Sequence, residues 1–260
     1  MSHVIIIGGG AAGMMAAIAA AGAGHKVCIY EKNEKLGKKI YITGKGRCNV
    51  TNACDTEELF RNVVHNAKFL YSSFYTFTNT DVMDLIEKHG CLLKTERGGR
   101  VFPVSDKSSD VIHALTVALR ELGVEVELHE EVSGVLAEDG HVSGVRLKRG
   151  QKVVFADAVI VTTGGLSYPS TGSTGDGYRF AKELGHTITD LSPALVPFVA
   201  KEDVCKELQG LSLRNISVQI RNGKKVLYEE FGEMLFTHFG VSGPVLLSAS
   251  SYVASTLKKG

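Results

Sequence analysis

The sequence lacks an excess of charge of either sign. Its 260 residues include 29 basic and 28 acidic side chains, which gives a formal net charge of +1 at pH 7. Domains that bind nucleic acid through their overall charge are strongly basic, so no such global signature is present. There is also no internal repeat and no low-complexity segment. The length is enough for one large domain or two modest ones, and the 44% of hydrophobic residues is ample for a core.

Cysteine is scarce and scattered. The five cysteines are an odd number and do not form the framework of a disulfide-stabilised protein: Cys28, Cys48, Cys54, Cys91 and Cys205. We therefore expect a reducing compartment, most simply the cytoplasm. The histidines and cysteines lack the spacing of a zinc site, and no Gly-x-Ser-x-Gly elbow is present. Cys28, Cys91 and Cys205 lie in apolar runs and are expected in the core.

No lysine or arginine precedes the longest uncharged stretch, residues 4–24. A signal peptide would carry positive charge there, and the adjacent glycines at 8–10 would weaken a transmembrane helix. We therefore predict neither a membrane span nor a signal peptide. The stretch instead fits a strand, a glycine turn and a helix, because the β-branched residues 4–7 suit a strand buried on both faces.

The glycine turn has the spacing of a dinucleotide-binding fingerprint, Gly8-x-Gly10-x-x-Gly13. In this motif the first glycine makes the turn, the second admits a pyrophosphate and the third lets helix and strand pack closely. The amino terminus of the helix offers free N–H groups to the phosphates. Glu31 ends the next apolar strand and can accept hydrogen bonds from a ribose diol. An acid at this position favours the unphosphorylated ribose of FAD or NAD.

A long polar loop is predicted over residues 32–55, directly after the nucleotide strand. Its first lysines fit either a solvated surface or cofactor contacts. Residues 44–49, GKGRCN, indicate cofactor contact more specifically. The glycines let backbone N–H groups face an anion or a flavin edge, and Arg47 can bind a phosphate through two N–H donors. Cys48 and Cys54 also raise the alternative of a redox dithiol beside a flavin. Their Cys-x5-Cys spacing and the lack of a second dinucleotide fingerprint favour two small, ordinary thiols.

Hydrophobic patterns predict the remaining elements. Helices are expected around residues 57–62, 68–74, 81–89, 110–122 and 176–184, and strands at 125–128, 132–138, 141–148, 153–156 and 158–162. The last of these is expected to be buried and ends in Thr163-Gly164-Gly165, where two glycines allow close backbone approach.

The character of the sequence changes near residue 191. Alternating apolar residues on both sides of the Asn222-Gly223 turn indicate the start of a mainly β domain. Gly243-Pro244 opens a helix that is expected to run into Lys258 and Lys259. His238 lies between two aromatic residues in the string 235–244, LFTHFGVSGP. It is either a packed structural histidine or a proton donor or substrate contact near a flavin.

Five strings together resemble the BaiN/RdsA family of bacterial flavoproteins, also described as aminoacetone-oxidase-like FAD-binding enzymes. They are the fingerprint with Glu31 and the segments 42–52 (ITGKGRCNVTN), 99–106 (GRVFPVSD), 172–177 (GSTGDG) and 235–244 (LFTHFGVSGP). The resemblance covers nearly the whole chain. Lys45 stands where many relatives are expected to have glycine, and it fits if its φ is negative. Family members continue well past residue 260, so the chain resembles a member truncated at its C-terminus.

The resemblance implies an α/β fold: a Rossmann-like FAD-binding domain of the two-dinucleotide-binding-domain flavoprotein type over 1–190, then the N-terminal part of a β-rich substrate or insertion domain over 191–260. It also implies cofactor contacts. These are Gly8, Gly10, Ala12 and Gly13 at the pyrophosphate, Glu31 at the ribose, Lys32, Arg47, Cys48 and Asn49 along the middle and flavin end, Val132 at the adenine, and Thr163, Gly164 and Gly165 beside the nucleotide.

The function implied by the resemblance is that of an FAD-dependent oxidoreductase. It would reduce a polarised C=C or C=N bond of a small organic molecule or an RNA nucleobase, with NAD(P)H as a transient reductant. A flavin oxidase of a small amine or ketone, and a non-catalytic FAD- or NAD-binding module, stay open as alternatives. His238 and Cys48 are the only candidate catalytic residues. Substrate, reductant and oligomeric state do not follow from the sequence.

Overall fold

The computed structural model describes residues 1–257, which form two compact units. The first unit comprises Met1–Asn62 and Ala67–Ile188, and the second comprises Val63–Asn66 and the chain from Thr189 onward. None of the helices within residues 1–257 combines the length and the apolar character that a membrane span requires.

Fourteen strands and eight helices are described in residues 1–257. The strands are β1 (His3–Ile7), β2 (Lys26–Glu31), β3 (Thr51–Asn52), β4 (Leu93–Thr95), β5 (Arg100–Pro103), β6 (Glu125–Leu128), β7 (Val132–Glu138), β8 (His141–Leu147), β9 (Val153–Phe155), β10 (Ala158–Val161), β11 (Phe198–Val199), β12 (Ser212–Asn222), β13 (Lys225–Thr237) and β14 (Gly240–Ser242). The helices are α1 (Ala11–Gly22), α2 (Thr56–Arg61), α3 (Tyr71–Thr76), α4 (Asn79–Lys88), α5 (Ser108–Glu121), α6 (Asp176–Glu183), α7 (Val204–Glu207) and α8 (Pro244–Leu257).

A parallel four-stranded sheet in the order β10-β1-β2-β6 forms the centre of the first unit. The apolar residues of β1 and β2 are almost entirely buried, as predicted for strands covered on both faces. Helix α1 packs against this sheet and against α5, and its small residues permit the close approach. The buried residues of α5 recur at helical spacing and face the same core: Val111, Ile112, Ala114, Leu115, Ala118 and Leu119.

Two antiparallel sheets complete the first unit, β7-β8-β9 and β3-β5-β4. The first is the predicted meander. Asp139 and Gly140, with φ of 50° and 78°, form the tight turn between β7 and β8. Gly144 is required in β8 because a Cβ there would lie 2.1 Å from the Val154 carbonyl oxygen.

The second unit contains an antiparallel sheet in the order β11-β14-β13-β12. The long hairpin β12–β13 turns at Gly223 and Lys224, between the paired residues Asn222 and Lys225, which confirms the hairpin expected from the alternation of apolar residues. Pro244 is the first residue of α8, also as predicted. That helix is described to Leu257, so its predicted continuation through Lys258 and Lys259 lies outside the described residues.

Three expectations need correction. Strand β10 is half-buried rather than buried, because it lies at an edge of the parallel sheet and Val161 is 42% exposed. The segment 32–55 is not a simple loop, since it contains a 3-10 segment at Ile40–Gly46 and the short strand β3. Lys45 has a φ of 56°, not the negative value expected for a tolerated side chain.

Candidate nucleotide-binding site

A pocket of about 350 Å³ opens where the carboxyl ends of β1, β2 and β10 meet. Strand β2 lies on one side of β1 and β10 lies on the other side, so the order of the strands reverses at this point. Parallel α/β sheets bind ligands in the crevice at such a reversal. The volume lies within the range of small-molecule sites, about 300–1,000 Å³. The position of the pocket is therefore a consequence of the strand order.

The three fingerprint glycines have different surroundings. A Cβ on Gly13 would lie 1.9 Å from the Gly8 carbonyl oxygen, so this position lets α1 pack against the turn after β1. Gly8 has a φ of 103°, and a Cβ on it would lie 2.8 Å from the Thr162 carbonyl oxygen. A Cβ on Gly10 would meet nothing within 4 Å. The turn is thus closed beneath Gly8 and Gly13 and open at Gly10, which fits the approach of a diphosphate.

The amino terminus of α1 faces the pocket through Gly10, Ala11 and Ala12. Gly10 is the N-cap, and no acidic side chain lies in the first turn to compensate the positive end of the helix dipole. Backbone N–H groups at such a position form an anion site.

The Glu31 carboxylate is held rigidly in the pocket wall. Its Oε2 accepts a hydrogen bond from the backbone N–H of Gly9 at 2.7 Å. Its Oε1 accepts from the backbone N–H of Asn33 at 2.8 Å and from the side-chain Nδ2 of Asn33 at 2.6 Å. Glu31 is only 7% exposed, so these donors replace water around the charge.

A glycine-rich segment, residues 163–175, forms the opposite wall and is tied to the loop after β2. The Lys32 ammonium donates to Thr174 Oγ1 at 2.9 Å and to Asp176 Oδ2 at 2.7 Å. Lys39 donates to the Ser167 carbonyl oxygen at 2.8 Å. Burial alone would raise the pKa of Asp176, but the hydrogen bonds from Lys32 and Thr174 outweigh it and leave that pKa below its ordinary value. Burial lowers the pKa of Lys39.

Most of the predicted contacts lie in the lining of this pocket. Those residues are Gly8, Gly10, Ala12, Glu31, Lys32, Val132, Thr163 and Gly164. Gly13 lies beneath the turn, and Gly165, Arg47, Cys48 and Asn49 lie outside the lining. Lys38 and Lys39, for which the sequence left a solvated surface and cofactor contacts open, also lie in the lining. The lining residues Asn33, Ser173 and Asp176 were not predicted as contacts. The signal for Asn33 was its position directly after a nucleotide-binding strand.

Arg47 is already paired with two carboxylates. Its Nε donates to Asp106 Oδ1 at 2.8 Å, and its Nη2 donates to Glu96 Oε1. The guanidinium also lies over the Phe102 ring, 4.2 Å from its centroid. Hydrogen bonds from Lys94 and from Arg47 hold the pKa of Asp106 below its ordinary value. The guanidinium therefore ties the 3-10 segment to the β4–β5 hairpin and the turn that follows it.

Cys48 and Asn49 are fixed by their neighbours. Cys48 is buried, and burial raises the pKa of its thiol, the opposite of the shift that activates a thiolate. When its amide is assigned in the orientation that satisfies both ends, the Asn49 nitrogen donates to the carbonyl oxygens of Val101 and Thr51 at 3.2 and 3.0 Å. Cys54 is half-buried, and all five cysteines are free thiols. Cys28, Cys91 and Cys205 are buried, as predicted.

His238 belongs to the second unit and is exposed, which contradicts the expectation of a packed histidine. It lies in the turn between β13 and β14, and its ring makes an edge-to-face contact with the Phe239 ring, with the two ring centroids 4.9 Å apart. The hydroxyl oxygen of the preceding Thr237 is buried, and among residues 1–257 no hydrogen-bond partner is found for it.

The comparisons with known proteins agree with this geometry. Residues 2–251 match the family model of the HI0933-like protein Rossmann domain. The whole chain is 34% identical to a 3-dehydro-bile acid delta(4,6)-reductase of Clostridium scindens, of which it covers 62%. Over 95% of its length it is 32% identical to a ribosomal RNA dihydrouridine synthase of Escherichia coli, of which it covers 60%. The chain thus spans about three fifths of the length of these two relatives.

A solved structure shows the same fold at lower sequence identity. The 3-ketosteroid-delta4-(5alpha)-dehydrogenase of Rhodococcus jostii RHA1 matches 82% of this chain and 59% of its own, with a TM-score of 0.57 and 15% identity. The Rossmann-like fold expected from the motifs is therefore confirmed, and so is the family resemblance. On the match of its residues 2–251, the chain belongs to the HI0933-like family and carries the Rossmann domain of that family.

Proposed function

We propose that the chain is the FAD-binding portion of an FAD-dependent oxidoreductase that reduces a polarised C=C or C=N bond. The observation that carries the proposal is the pocket at the end of β1, which is open at Gly10 and walled by the buried Glu31 carboxylate. An open glycine beside a helix amino terminus fits a diphosphate, and the acid fits a ribose diol. These are the two recognition elements of a dinucleotide.

Each part of the pocket has a proposed role. The turn formed by Gly8, Gly10 and Ala12 would hold the diphosphate, with Gly13 supporting it from below, and Glu31 would hold the ribose. The backbone of Val132, at the start of β7, would meet the adenine. The middle and flavin end would be lined by Lys32, Arg47, Cys48 and Asn49, with Thr163, Gly164 and Gly165 passing beside the nucleotide. For Arg47 this role requires at least one of its two ion pairs to open.

When bound, FAD would supply the hydride chemistry, and the protein would supply orientation and electrostatics. The pocket lining carries side chains of both signs, so the diphosphate would be held mainly by the backbone N–H groups at the start of α1. Lys32, Lys38 and Lys39 line the pocket together with four acidic residues, Glu31, Glu130, Glu131 and Asp176. Asp176 is paired with Lys32, and three backbone and side-chain amide donors stabilise the Glu31 carboxylate. Cys48 enters this scheme as a neutral thiol because burial raises its pKa. His238 stays the other candidate proton donor.

The substrate class is proposed from the names of the two relatives. A 3-dehydro-bile acid delta(4,6)-reductase and a dihydrouridine synthase both act on a ring whose C=C bond is conjugated with a carbonyl group. Polarisation by that carbonyl makes the distal carbon the acceptor of hydride. We therefore propose a conjugated ring ketone or a pyrimidine base as the substrate, and NAD(P)H as the transient reductant.

The proposal is tested on purified protein that contains the chain in its full-length context. We expect a yellow protein whose released cofactor is FAD by chromatography and mass spectrometry. Anaerobic reduction with NADH or NADPH, followed by addition of a 3-oxo-4,6-diene steroid or a uridine-containing RNA, should return the oxidised flavin spectrum and yield a reduced product. Protein without flavin that binds only NAD would refute the proposal. Reoxidation by oxygen alone, with amine or ketone consumed, would instead indicate an oxidase.

A further inference from the structure

We propose that Asn33 is a positioning residue that presets the Glu31 carboxylate for a ribose diol and ties the glycine-rich segment 163–175 to the same site. The inference rests on the proposed binding of FAD, because the ribose is the group that Glu31 would recognise. It adds a residue that the dinucleotide fingerprint does not contain.

The Glu31 carboxylate is surrounded by hydrogen-bond donors. Three hydrogen bonds reach it, two from Asn33 and one from Gly9, at 2.6–2.8 Å. An ionised carboxylate has about four acceptor positions, so little freedom remains for the side chain to rotate. Water cannot take over these contacts, because Glu31 is 7% exposed. The remaining acceptor capacity is therefore aimed in one direction before any ligand arrives.

The Asn33 side chain makes hydrogen bonds at both ends of its amide. Its Nδ2 also donates to the Thr171 carbonyl oxygen at 3.2 Å, and its Oδ1 accepts from the Lys38 ammonium at 3.1 Å. Only one orientation of the amide satisfies these partners, with the nitrogen toward Glu31 and Thr171 and the oxygen toward Lys38. The amide thus joins the acid at the end of β2 to the opposite wall of the pocket.

The backbone is shaped around this amide. A Cβ on Gly172 would lie 2.6 Å from Asn33 Nδ2, and Gly172 has a φ of 96° that other residues rarely adopt. The carbonyl oxygen of Asn33 accepts from the backbone N–H of His129 at 3.1 Å, which fixes the residue to the connection between β6 and β7. Glycine at 172 therefore permits the close approach between Asn33 and the segment 163–175.

The test compares ADP with 2′-deoxy-ADP, which differ only in the 2′-hydroxyl group, whose hydrogen bond Glu31 would accept. Flavin-free protein is titrated with both by calorimetry, as wild type, Asn33→Ala, Glu31→Gln and Lys35→Met. Lys35 is the matched control, because it lies in the same loop, its ammonium is over the Tyr41 ring, and it is not in the pocket lining. Wild type should prefer ADP by about tenfold or more, as expected for a hydrogen bond to a charged acceptor.

In Asn33→Ala this preference should fall by about threefold or more, since the carboxylate keeps only its two backbone donors. Lys35→Met should keep the wild-type preference. The double variant Glu31→Gln, Asn33→Ala should show no further loss of preference than Glu31→Gln alone, because Asn33 acts through Glu31. Hydrogen exchange of residues 163–175 should be faster in Asn33→Ala and unchanged in Lys35→Met. Asn33→Ser serves as a second variant if Asn33→Ala does not fold.

Two results obtained with the Asn33→Ala protein would overturn the inference. One is an Asn33→Ala protein with the full wild-type preference for ADP. The other is an Asn33→Ala protein whose affinities for ADP and 2′-deoxy-ADP fall by the same factor, which would assign Asn33 a purely structural role. A wild-type protein that binds FAD without preferring ADP would overturn the inference and leave the FAD proposal standing. Wild-type protein that binds neither FAD nor ADP would overturn both.

Discussion

Gly13 and Gly10 are three residues apart in one motif, and the structure predicts opposite consequences of replacing each by alanine. A Cβ at Gly13 would lie 1.9 Å from the Gly8 carbonyl oxygen and 2.8 Å from Thr162 Oγ1. The first contact is with backbone, which cannot rotate away. The second would disturb a hydroxyl that donates to the carbonyl oxygens of Ile7 and Gly8, each at 2.9 Å.

Overpacking of this kind costs about 1–3 kcal/mol, and a backbone obstacle places Gly13→Ala near the upper end. Alanine recovers up to about 1 kcal/mol through its higher helix propensity. The expected net loss is about 2 kcal/mol of the free energy of unfolding. At Gly10 the backbone has φ −78° and ψ −171°, which alanine adopts freely, and its Cβ meets nothing. We expect Gly10→Ala to change the free energy of unfolding by about 0.5 kcal/mol or less. Alanine lowers the entropy of the unfolded chain, which stabilises the protein, but it is a poorer N-cap residue than glycine, which destabilises it.

Binding separates the two variants in the opposite sense. The Cβ at Gly10 occupies the space proposed for the diphosphate, so FAD affinity should fall about tenfold or more, equivalent to about 1.4 kcal/mol. Urea unfolding of the flavin-free proteins followed by circular dichroism measures stability, and calorimetric titration with FAD measures binding. A Gly13→Ala protein as stable as wild type would refute the packing argument. A Gly10→Ala protein with unchanged FAD affinity would refute the placement of the diphosphate.

Three further predictions concern other parts of the first unit. The double variant Cys48→Ser, Cys54→Ser should keep most of its flavin reduction by NAD(P)H in the full-length protein, measured by anaerobic stopped flow; a loss of many orders of magnitude with a titratable disulfide would restore the dithiol mechanism. Lys45→Gly should stabilise the chain by about 0.5–1 kcal/mol in urea unfolding, because φ is 56° there, whereas Lys45→Ala should not. The pairing of Asp176 with Lys32 should add to the free energy of unfolding by a constant amount above pH 5, and this contribution should disappear as the pH falls below about 4, because the pKa of Asp176 is depressed in the folded protein. The Asp176→Asn variant should lack this pH dependence. Equal pH profiles of the free energy of unfolding for wild type and variant would contradict the pairing.

The fold was predicted mainly from short-range patterns in the sequence. The β-branched residues of β1, the fingerprint glycines and the acid at the end of β2 are all read from neighbours within one βαβ unit, and they place the pocket through the strand order. The hairpin of β12 and β13 was predicted for the same reason, since its alternation and its turn are local. The prediction that β10 is buried was wrong, because the burial of a strand depends on whether a further strand lies beside it, and the sequence of β10 does not encode that neighbour.

The contacts that fix individual side chains could not be predicted in this way. Arg47 lies 49 residues from Glu96 and 59 from Asp106 in sequence, and only the folded hairpin β4–β5 and the turn after it bring both carboxylates to it. A lone arginine in a glycine-rich loop therefore looks free to bind phosphate. The φ of Lys45 was missed because three consecutive residues, 44–46, adopt positive φ, and only two of them are glycine.

These partners also change what Arg47 can contribute. Its two ion pairs are partly exposed, with side-chain exposures of 30–45% among the three groups, so each is worth little on its own. Opening one of them toward a phosphate would exchange one charged contact for another at small net cost. Gly44 and Gly46, by contrast, hold a backbone that a side chain would strain. The shape of this loop is therefore set by its backbone, and the guanidinium is the adjustable part. A guanidinium that can exchange one partner for another is compatible with cofactor contact at Arg47, even though its side chain points to Glu96 and Asp106 in this structure.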